Sequence, residues 1–469
     1  MNRNMRTWIK ELESAQELYY VDKLVNPLTQ MGELLSQSKE KALFFQKLVG
    51  FPGWRTLGNA PANLRHAALA FECSIQDLIP TVAAKSEERL LPVQVDSGPV
   101  KDVILQGNDL DLTNLPVHIG GEKDAGPFIA SGLCVTKNPD SNKRNFSFHR
   151  LQLKGPNKTG FLALPRHTRR NMEKYKERGE PMPIAIFIGH HIMYYMAAAM
   201  SLPYGVDEFE VAGAFLGHPV ELVPCETVPL EVPSDAEIVL EGYVYPDILE
   251  EEGPYSESHD YYVSGSGLKP IVEYTCLTKR TDAIYMALQN GSEMGACVFH
   301  KVPMSASLYS SLRNVGGFTD IKNVLVLPGL LGVAVQMVPK YYGEAKTVLL
   351  ASLSSRHLGP KVAIAIDEDV DIFEYWQILW SISTRVNPEK DIIVIPGCRI
   401  HPMDLSGEEL YPADTPLWSR VGGKVLIDAT KPPLCDVDLR AKYERIRPMG
   451  HGQVKLEDFI RIFDGEIDS

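Results

Sequence analysis

Long apolar runs are missing from this 469-residue chain: none approaches the ~20 residues that a membrane-spanning helix needs. Cysteine is scarce and scattered. Seven residues, at 73, 134, 225, 276, 297, 398 and 435, make an odd number with no Cys-x-x-Cys pair. That argues against a disulfide framework or a zinc site and fits a reducing cytoplasm. Net positive charge is also lacking, and a formal charge of −13 disfavours nonspecific binding to nucleic acid. No internal repeat or low-complexity segment is present, and Met1-Asn2-Arg3-Asn4-Met5-Arg6 leads into a mixed polar helix, not an apolar signal core. The remainder has an ordinary globular composition, 44% hydrophobic and 23% charged. One core rarely serves so long a chain, so two or three domains are expected.

The pattern divides near residues 100 and 305. Residues 1–100 read as a helical start and a small α/β region, with Leu43, Phe44, Leu48 and Val49 at helical spacing before a turn at Phe51-Pro52-Gly53-Trp54. Residues 101–305 are strand-rich. Ile271 to Thr278 alternate, Lys279-Arg280-Thr281-Asp282 turns, and Ala283 to Leu288 returns, which predicts an antiparallel hairpin. Ile238-Val239-Leu240 and Val244-Tyr245 predict another strand pair, while Arg169–Arg178 and His191–Met200 read as helices. From 306 to 469 the pattern is α/β. Val362–Ile366 reads as a buried parallel strand, Phe373, Trp376, Leu379, Trp380 and Ser383 as one helix face, and Ile392–Ile395 as the next strand of a βαβ unit. The fold class expected is mixed α/β, α+β overall.

Two polar segments stand out. Glu251-Glu252-Gly253-Pro254-Tyr255-Ser256-Glu257-Ser258-His259-Asp260-Tyr261-Tyr262 packs carboxylates, a histidine and tyrosines around a Gly-Pro turn. Gly253 can take positive φ and Pro254 fixes its own, so Glu252 and Glu257 sit on a stiff loop. By itself this run reads either as a solvated acidic turn or as paired carboxylates able to build a general acid. The second segment, Asn145-Phe146-Ser147-Phe148-His149-Arg150, offers a cationic partner. A basic cluster, Arg166-His167-Thr168-Arg169-Arg170 with Lys174, Lys176 and Arg178, reads either as a helix face balancing an acidic protein or as a positive field beside a phosphate.

Together these segments resemble the UbiD family of reversible decarboxylases. Asn145 and Arg150 match its Asn-x4-Arg signature, and Glu252 and Glu257 match its carboxylate, Gly-Pro-aromatic, carboxylate signature. Between them, His167 in Leu164-Pro165-Arg166-His167 and Glu208 in Asp207-Glu208-Phe209-Glu210 align with the family's metal-binding His and Glu. Further matches are Glu237–Gly242, Asp367–Asp371 and Trp380–Arg385. The resemblance runs from about residue 100 to 430 with every block in order.

The resemblance implies a three-part molecule: an N-terminal α/β domain (1–100), a split β-barrel flavin-binding domain (101–305), and a C-terminal α/β domain with its tail (306–469) making subunit contacts in a homo-oligomer, dimer or hexamer. It implies prenylated flavin mononucleotide (FMN) as cofactor, supplied by a flavin prenyltransferase, with Mn²⁺ or Mg²⁺ and K⁺. Asn145, His167 and Glu208 would hold the divalent metal. One amide oxygen, one imidazole and one carboxylate form a hard-leaning set that suits those ions better than zinc. Ser147, Phe148, His149, Arg150 and Arg166 would line the cofactor. Lys361, with Arg356 and His357 nearby, would reach its phosphate, and Ala197, Ala198 and Met200 would offer backbone oxygens to K⁺.

Decarboxylating an aromatic acid leaves a carbanion in the ring plane, for which no side chain is an adequate electron sink. In the family the prenylated flavin bonds covalently to the substrate and takes up that charge as CO₂ leaves. By the resemblance Glu257 donates the proton, and Arg150 with Glu252 completes a Glu-Arg-Glu network. A cation between two carboxylates lets one stay ionised while the other exchanges a proton. His300 and His401 are the candidate substrate contacts. Histidines around the ring suit a phenolic acid such as protocatechuate, gallate or 4-hydroxybenzoate, with heteroaromatic acids left open. A catalytic subunit of a larger phenol carboxylase complex and a flavin-binding scaffold are the other readings; retention of Arg150, Glu252 and Glu257 argues against the scaffold.

Overall fold

A computed structural model describes residues 3–164, 166–263, 265–313, 315, 320–355, 359–411 and 419–459. Its centre is a nine-stranded, wholly antiparallel sheet. The order across it is Phe128–Ile129, Leu151–Leu153, Lys158–Phe161, Gly267–Lys279, Ile238–Glu252, Met182–Ile188, Leu133–Lys137 and Arg144–Phe148, with Val103–Gln106 also pairing to Gly267–Lys279. Every residue of Met182–Ile188 is buried, because helices cover the face that an open sheet would leave wet. The curled sheet is the split half-barrel expected of the central region, and the chain as a whole is mixed α/β. Among the described residues no helix is long and apolar enough to cross a membrane.

Several local expectations fail. Residues 283–288 do not return along 271–278: Ile284–Ala287 instead runs parallel to Arg55–Gly58, as the fourth strand of the sheet formed by Leu18–Val21, Ala42–Phe45 and Arg55–Gly58. The turn is diverted by long-range ion pairs. Arg6 grips Glu237 and Asp282, and a Glu237 oxygen accepts the Ile284 N–H at 3.0 Å. Leu43 and Phe44 lie in a strand, not a helix, since a short, wholly buried apolar run carries no period that separates the two. Residues 238–245 belong to one strand, bulged between Glu241 and Gly242, where a side chain would collide with the Glu273 carbonyl.

The C-terminal sheet runs Asp320–Val326, Gly332–Val338, Val362–Ile366, Ser419–Ala429 and Ile392–Ile400, with Glu408–Tyr411 also on Ser419–Ala429. Val362–Ile366 is a buried strand with a parallel neighbour on each side, as its unbroken apolar run predicts. The βαβ expectation is not met, because Ile392–Ile400 pairs antiparallel with Ser419–Ala429. The helix Tyr375–Arg385 buries Ile378, Ser381 and Arg385, and Trp376 and Leu379 face outward. Arg385 turns inward because Asp369 accepts two of its N–H groups and Trp380 stacks on its guanidinium. The helix Gly295–Leu312 runs unbroken across residue 305.

Candidate active site

Arg150 and Glu252 come from neighbouring parts of the curled sheet, and Glu257 from the loop that follows the strand Ile238–Glu252. Arg150 donates from Nε and Nη2 to the two oxygens of Glu252, at 2.9 and 2.8 Å, and from Nη1 to Glu257. The planar guanidinium thus meets one carboxylate as a fork and reaches a second with its other edge. The side chains of Arg150 and Glu252 are buried, and Glu257 keeps 14% exposure, so of the two carboxylates only the second keeps appreciable contact with solvent. Burial works against the Arg150 charge, but Glu257 and Glu252 outweigh it and raise its pKa. The ring of Tyr255 lies 5.0 Å from the guanidinium. Residues 102 and 107 positions apart are therefore assembled into one network.

Asn145, Ser147 and His149 alternate along the strand Arg144–Phe148 and just beyond it, so they share one side of the chain. The helix His167–Glu177 supplies the facing groups. Asn145 donates from Nδ2 to Thr168 Oγ1 at 3.0 Å and pairs through Oδ1 with His167 Nδ1 at 3.2 Å. With Nδ1 donating to that amide oxygen, His167 keeps its lone pair on Nε2. Ser147 Oγ links to His149 Nε2 and to Thr168 Oγ1, each at 3.0 Å, and His149 Nδ1 donates to the Leu162 carbonyl. Burial holds the His149 pKa down, to about 4.

Glu208 opens the helix Glu208–Leu216 and accepts the Phe146 N–H at 2.9 Å, one residue from Asn145. Burial raises its pKa to about 8. Among the described residues it has no cationic side chain within ion-pair distance. A buried carboxylate without a cation, and an imidazole with a free lone pair on Nε2, are donor types that suit a divalent ion. No group of three or more His, Cys, Asp or Glu with metal-holding geometry occurs among the described residues.

Arg166 lies at the head of the same helix, accessible to solvent yet walled by protein, and burial lowers its pKa. Among the described residues no carboxylate pairs with it. It is close enough to His300 and His401 to depress their protonation, after burial, which does most of that work. His401 is also 5.7 Å, ring to ring, from His259, and His300 packs 5.6 Å from Phe148. Arg166, His259, His300 and His401 therefore lie close together.

Lys361 is engaged within the C-terminal part, with Nζ 2.8 Å from Asp404 and donating to Ser406 Oγ at 2.6 Å. Arg356 and His357 lie outside the described residues. Ala197, Ala198 and Met200 close the helix Ile192–Ala198, where the Ala197 carbonyl accepts the Met200 N–H at 3.1 Å. Sequence reasoning missed Thr168, which joins Asn145 to Ser147, and Tyr204, whose ring sits 5.1 Å from His167. Tyr204 carries no signal in its neighbours along the chain, whereas Thr168 directly follows His167 in the basic cluster. His259 could have been found, since it stands two residues after Glu257 in the acidic segment.

Residues 9–86, 92–293 and 297–429 match, in turn, the N-terminal, Rift-related and C-terminal domains of 3-octaprenyl-4-hydroxybenzoate carboxy-lyase, UbiD. The anhydromevalonate phosphate decarboxylase of Methanothermobacter thermautotrophicus is 32% identical over 78% of this chain and 82% of its own length. A phenolic acid decarboxylase from a Streptomyces species is 27% identical over 92% of this chain and 93% of its own. The UbiD-class enzyme HmfF of Pelotomaculum thermopropionicum, solved with FMN, superposes with a TM-score of 0.88 at 31% identity, covering 98% of this chain and all of that one. An evolved dimeric form of it, solved with prenylated FMN, gives 0.85 at 30% identity, covering 98% of this chain and 100% of that one. A curled barrel half, a buried Glu-Arg-Glu network and three matched domains define a flavin-type carboxy-lyase. The chain belongs to the UbiD family of decarboxylases.

Proposed function

We propose that this enzyme reversibly decarboxylates an aromatic acid, with prenylated FMN and Mn²⁺ or Mg²⁺ bound and Glu257 as proton donor. The observation that carries the reading is Arg150, buried and shared between Glu252 and Glu257. When bound, prenylated flavin supplies the electron sink that the ring carbanion requires. Asn145, His167 and Glu208 would hold the metal and, with it, the phosphate end of the cofactor. Arg166 would add positive charge at that end or at the substrate carboxylate.

The chain's own residues manage the proton. Losing CO₂ leaves a carbon that must gain H⁺, and Glu257 is the partly exposed member of the network, able to give its proton and recover one from solvent. Glu252 stays ionised through its fork with Arg150, so the pair keeps one charge balanced while the other carboxylate cycles. The carboxylation direction runs the same transfer backwards.

The tautomers of two histidines favour a phenolic substrate. His300 Nδ1 donates to the Ala296 carbonyl at 3.2 Å, which leaves Nε2 an acceptor. His401 Nδ1 accepts the Met403 N–H at 3.2 Å, which makes Nε2 a donor. One acceptor and one donor match a hydroxyl, which both gives and takes a hydrogen bond, and reject a ring without one. A second reading has its own support: Arg166 has no paired carboxylate among the described residues, and one relative acts on an acid that also bears phosphate. Activity on hydroxybenzoates and none on a phosphorylated aliphatic acid would favour the first reading.

The test is the Glu257→Gln protein, produced with a flavin prenyltransferase. We expect retained flavin and metal with turnover down by roughly 100-fold or more, the scale of a lost general acid. Near-normal turnover would remove Glu257 from the role.

A further inference from the structure

The loop that carries Glu257 is held from behind by two side chains that no motif singles out. Asp124 accepts the Ser256 N–H on Oδ1 at 2.6 Å and the Gly121 N–H on Oδ2 at 2.9 Å, and Ser256 Oγ adds a contact at 3.3 Å. Asn290 donates from Nδ2 to the Tyr255 hydroxyl at 2.5 Å and to the Ser256 carbonyl at 2.9 Å. Ser256 is thus gripped at both backbone polar groups, immediately before Glu257. Nearby tethers serve the flanks: Ser292 N–H donates to Asp260 at 2.9 Å, and Gly253 N–H donates to Gln152 at 3.1 Å.

Packing anchors this loop at Tyr255, which is buried, while Ser256 is held by hydrogen bonds. Behind it lies a small cavity lined by His118, Asp124, Phe128, Tyr255, Ser256 and Asn290. Tyr255 alone has an aromatic neighbour there, Phe128, with ring centroids 4.5 Å apart. With room for about one water behind Ser256, the hydrogen bonds from Asp124 and Asn290 set where its backbone lies.

We infer that Asp124 and Asn290 are positioning residues for the decarboxylation, fixing Glu257 against Arg150 by tethering Tyr255 and Ser256. The inference rests on the reading of Glu257 as proton donor. Asp124 comes from the connection between the strands Val103–Gln106 and Phe128–Ile129 of the central sheet, and Asn290 from the segment after Ile284–Ala287, the strand lent to the N-terminal sheet. The proton donor is therefore set by the junction between two parts of the molecule. Small displacements matter here, because a shift of about 1 Å in a reacting group can cost roughly 100-fold in rate.

The experiment compares Asp124→Ala, Asp124→Asn and Asn290→Ala holoenzymes by steady-state kinetics and by crystal structure. We expect kcat to fall by about tenfold to a hundredfold in the two alanine variants. KM and bound flavin should stay within about twofold, as for a group that acts only in the transition state. Asp124→Asn, whose amide oxygen still accepts the Ser256 N–H, should recover part of the loss. The structures should show Glu257 detached from Arg150 while the Arg150–Glu252 fork remains. Glu257 still docked on Arg150 in both alanine variants would overturn the inference. Glu257 detached with kcat unchanged would uphold the clamp and sink the proton-donor reading, so the two failures are distinguishable. Asn290→Ala, on a different segment, serves the same test if Asp124→Ala does not fold.

Discussion

At the residue scale, the chemistry turns on how few ways there are to keep charges inside a protein. Arg150 is tolerated in the interior because Glu252 satisfies two of its donors and Glu257 a third. Replacing it with Lys keeps the charge and loses the fork. We expect Arg150→Lys to keep the fold and flavin content and to lower kcat by roughly 100-fold, read by steady-state kinetics on flavin-loaded protein. His167→Ala should lower bound metal and flavin together, measured by metal analysis and absorption spectra; stoichiometric amounts of both would remove His167 as a ligand. His118 gives a pH prediction. Burial pushes its pKa down to about 4, from the ordinary value of 6.5. Below pH 6.5 the unfolded chain therefore binds a proton that the folded one refuses. The stability that His118 contributes is held above that pH and is lost, by up to about 1.4 kcal/mol per pH unit, as the pH drops from 6.5 toward 4. His118→Gln should make that slope shallower, by up to about 1.4 kcal/mol per pH unit, in denaturant titrations between pH 4 and 6.5.

The important element is the turn that ends the long strand Ile238–Glu252. Gly253 has φ of +87°, and a Cβ there would meet the Gly265 carbonyl at 2.3 Å. Gly253→Ala should cost about 1–3 kcal/mol of stability and displace Glu252 or Glu257 from Arg150. A melting curve and kcat would report the two effects separately. This turn was legible in the sequence, because Gly-Pro chemistry acts over adjacent residues. The register of Ile284–Ala287 was not. Its short apolar run suits either an antiparallel return or a parallel edge, and the choice rests on Arg6, 231 positions from Glu237 along the chain. Leu43 and Phe44 failed for the same reason, a run too short to carry a period.

At the scale of the whole molecule, the outer face of the helix Tyr375–Arg385 exposes Trp376 and Leu379, with Leu379 at 64% exposure. An apolar helix face toward solvent is the surface expected to be covered in a homo-oligomer. We expect Leu379→Glu to shift the protein toward smaller species in sedimentation velocity without altering the Arg150 network; an unchanged distribution would place the interface elsewhere. The same helix carries different chemistry on its two faces. Its apolar stripe is real, but the inner face carries Ile378, Ser381 and Arg385, the last neutralised by Asp369.

By itself the sequence determined the family, the mixed fold class and the identity of Arg150, Glu252 and Glu257. Those features are written in short, ordered motifs whose residue types answer directly to charge and turn chemistry. Only the tertiary structure decided what those residues touch. It brought Glu208 onto the Phe146 N–H and set Asp124 and Asn290 behind the Glu257 loop. Each of these contacts joins segments far apart in the chain, and a hydrogen bond between distant segments leaves no local periodicity or spacing to read.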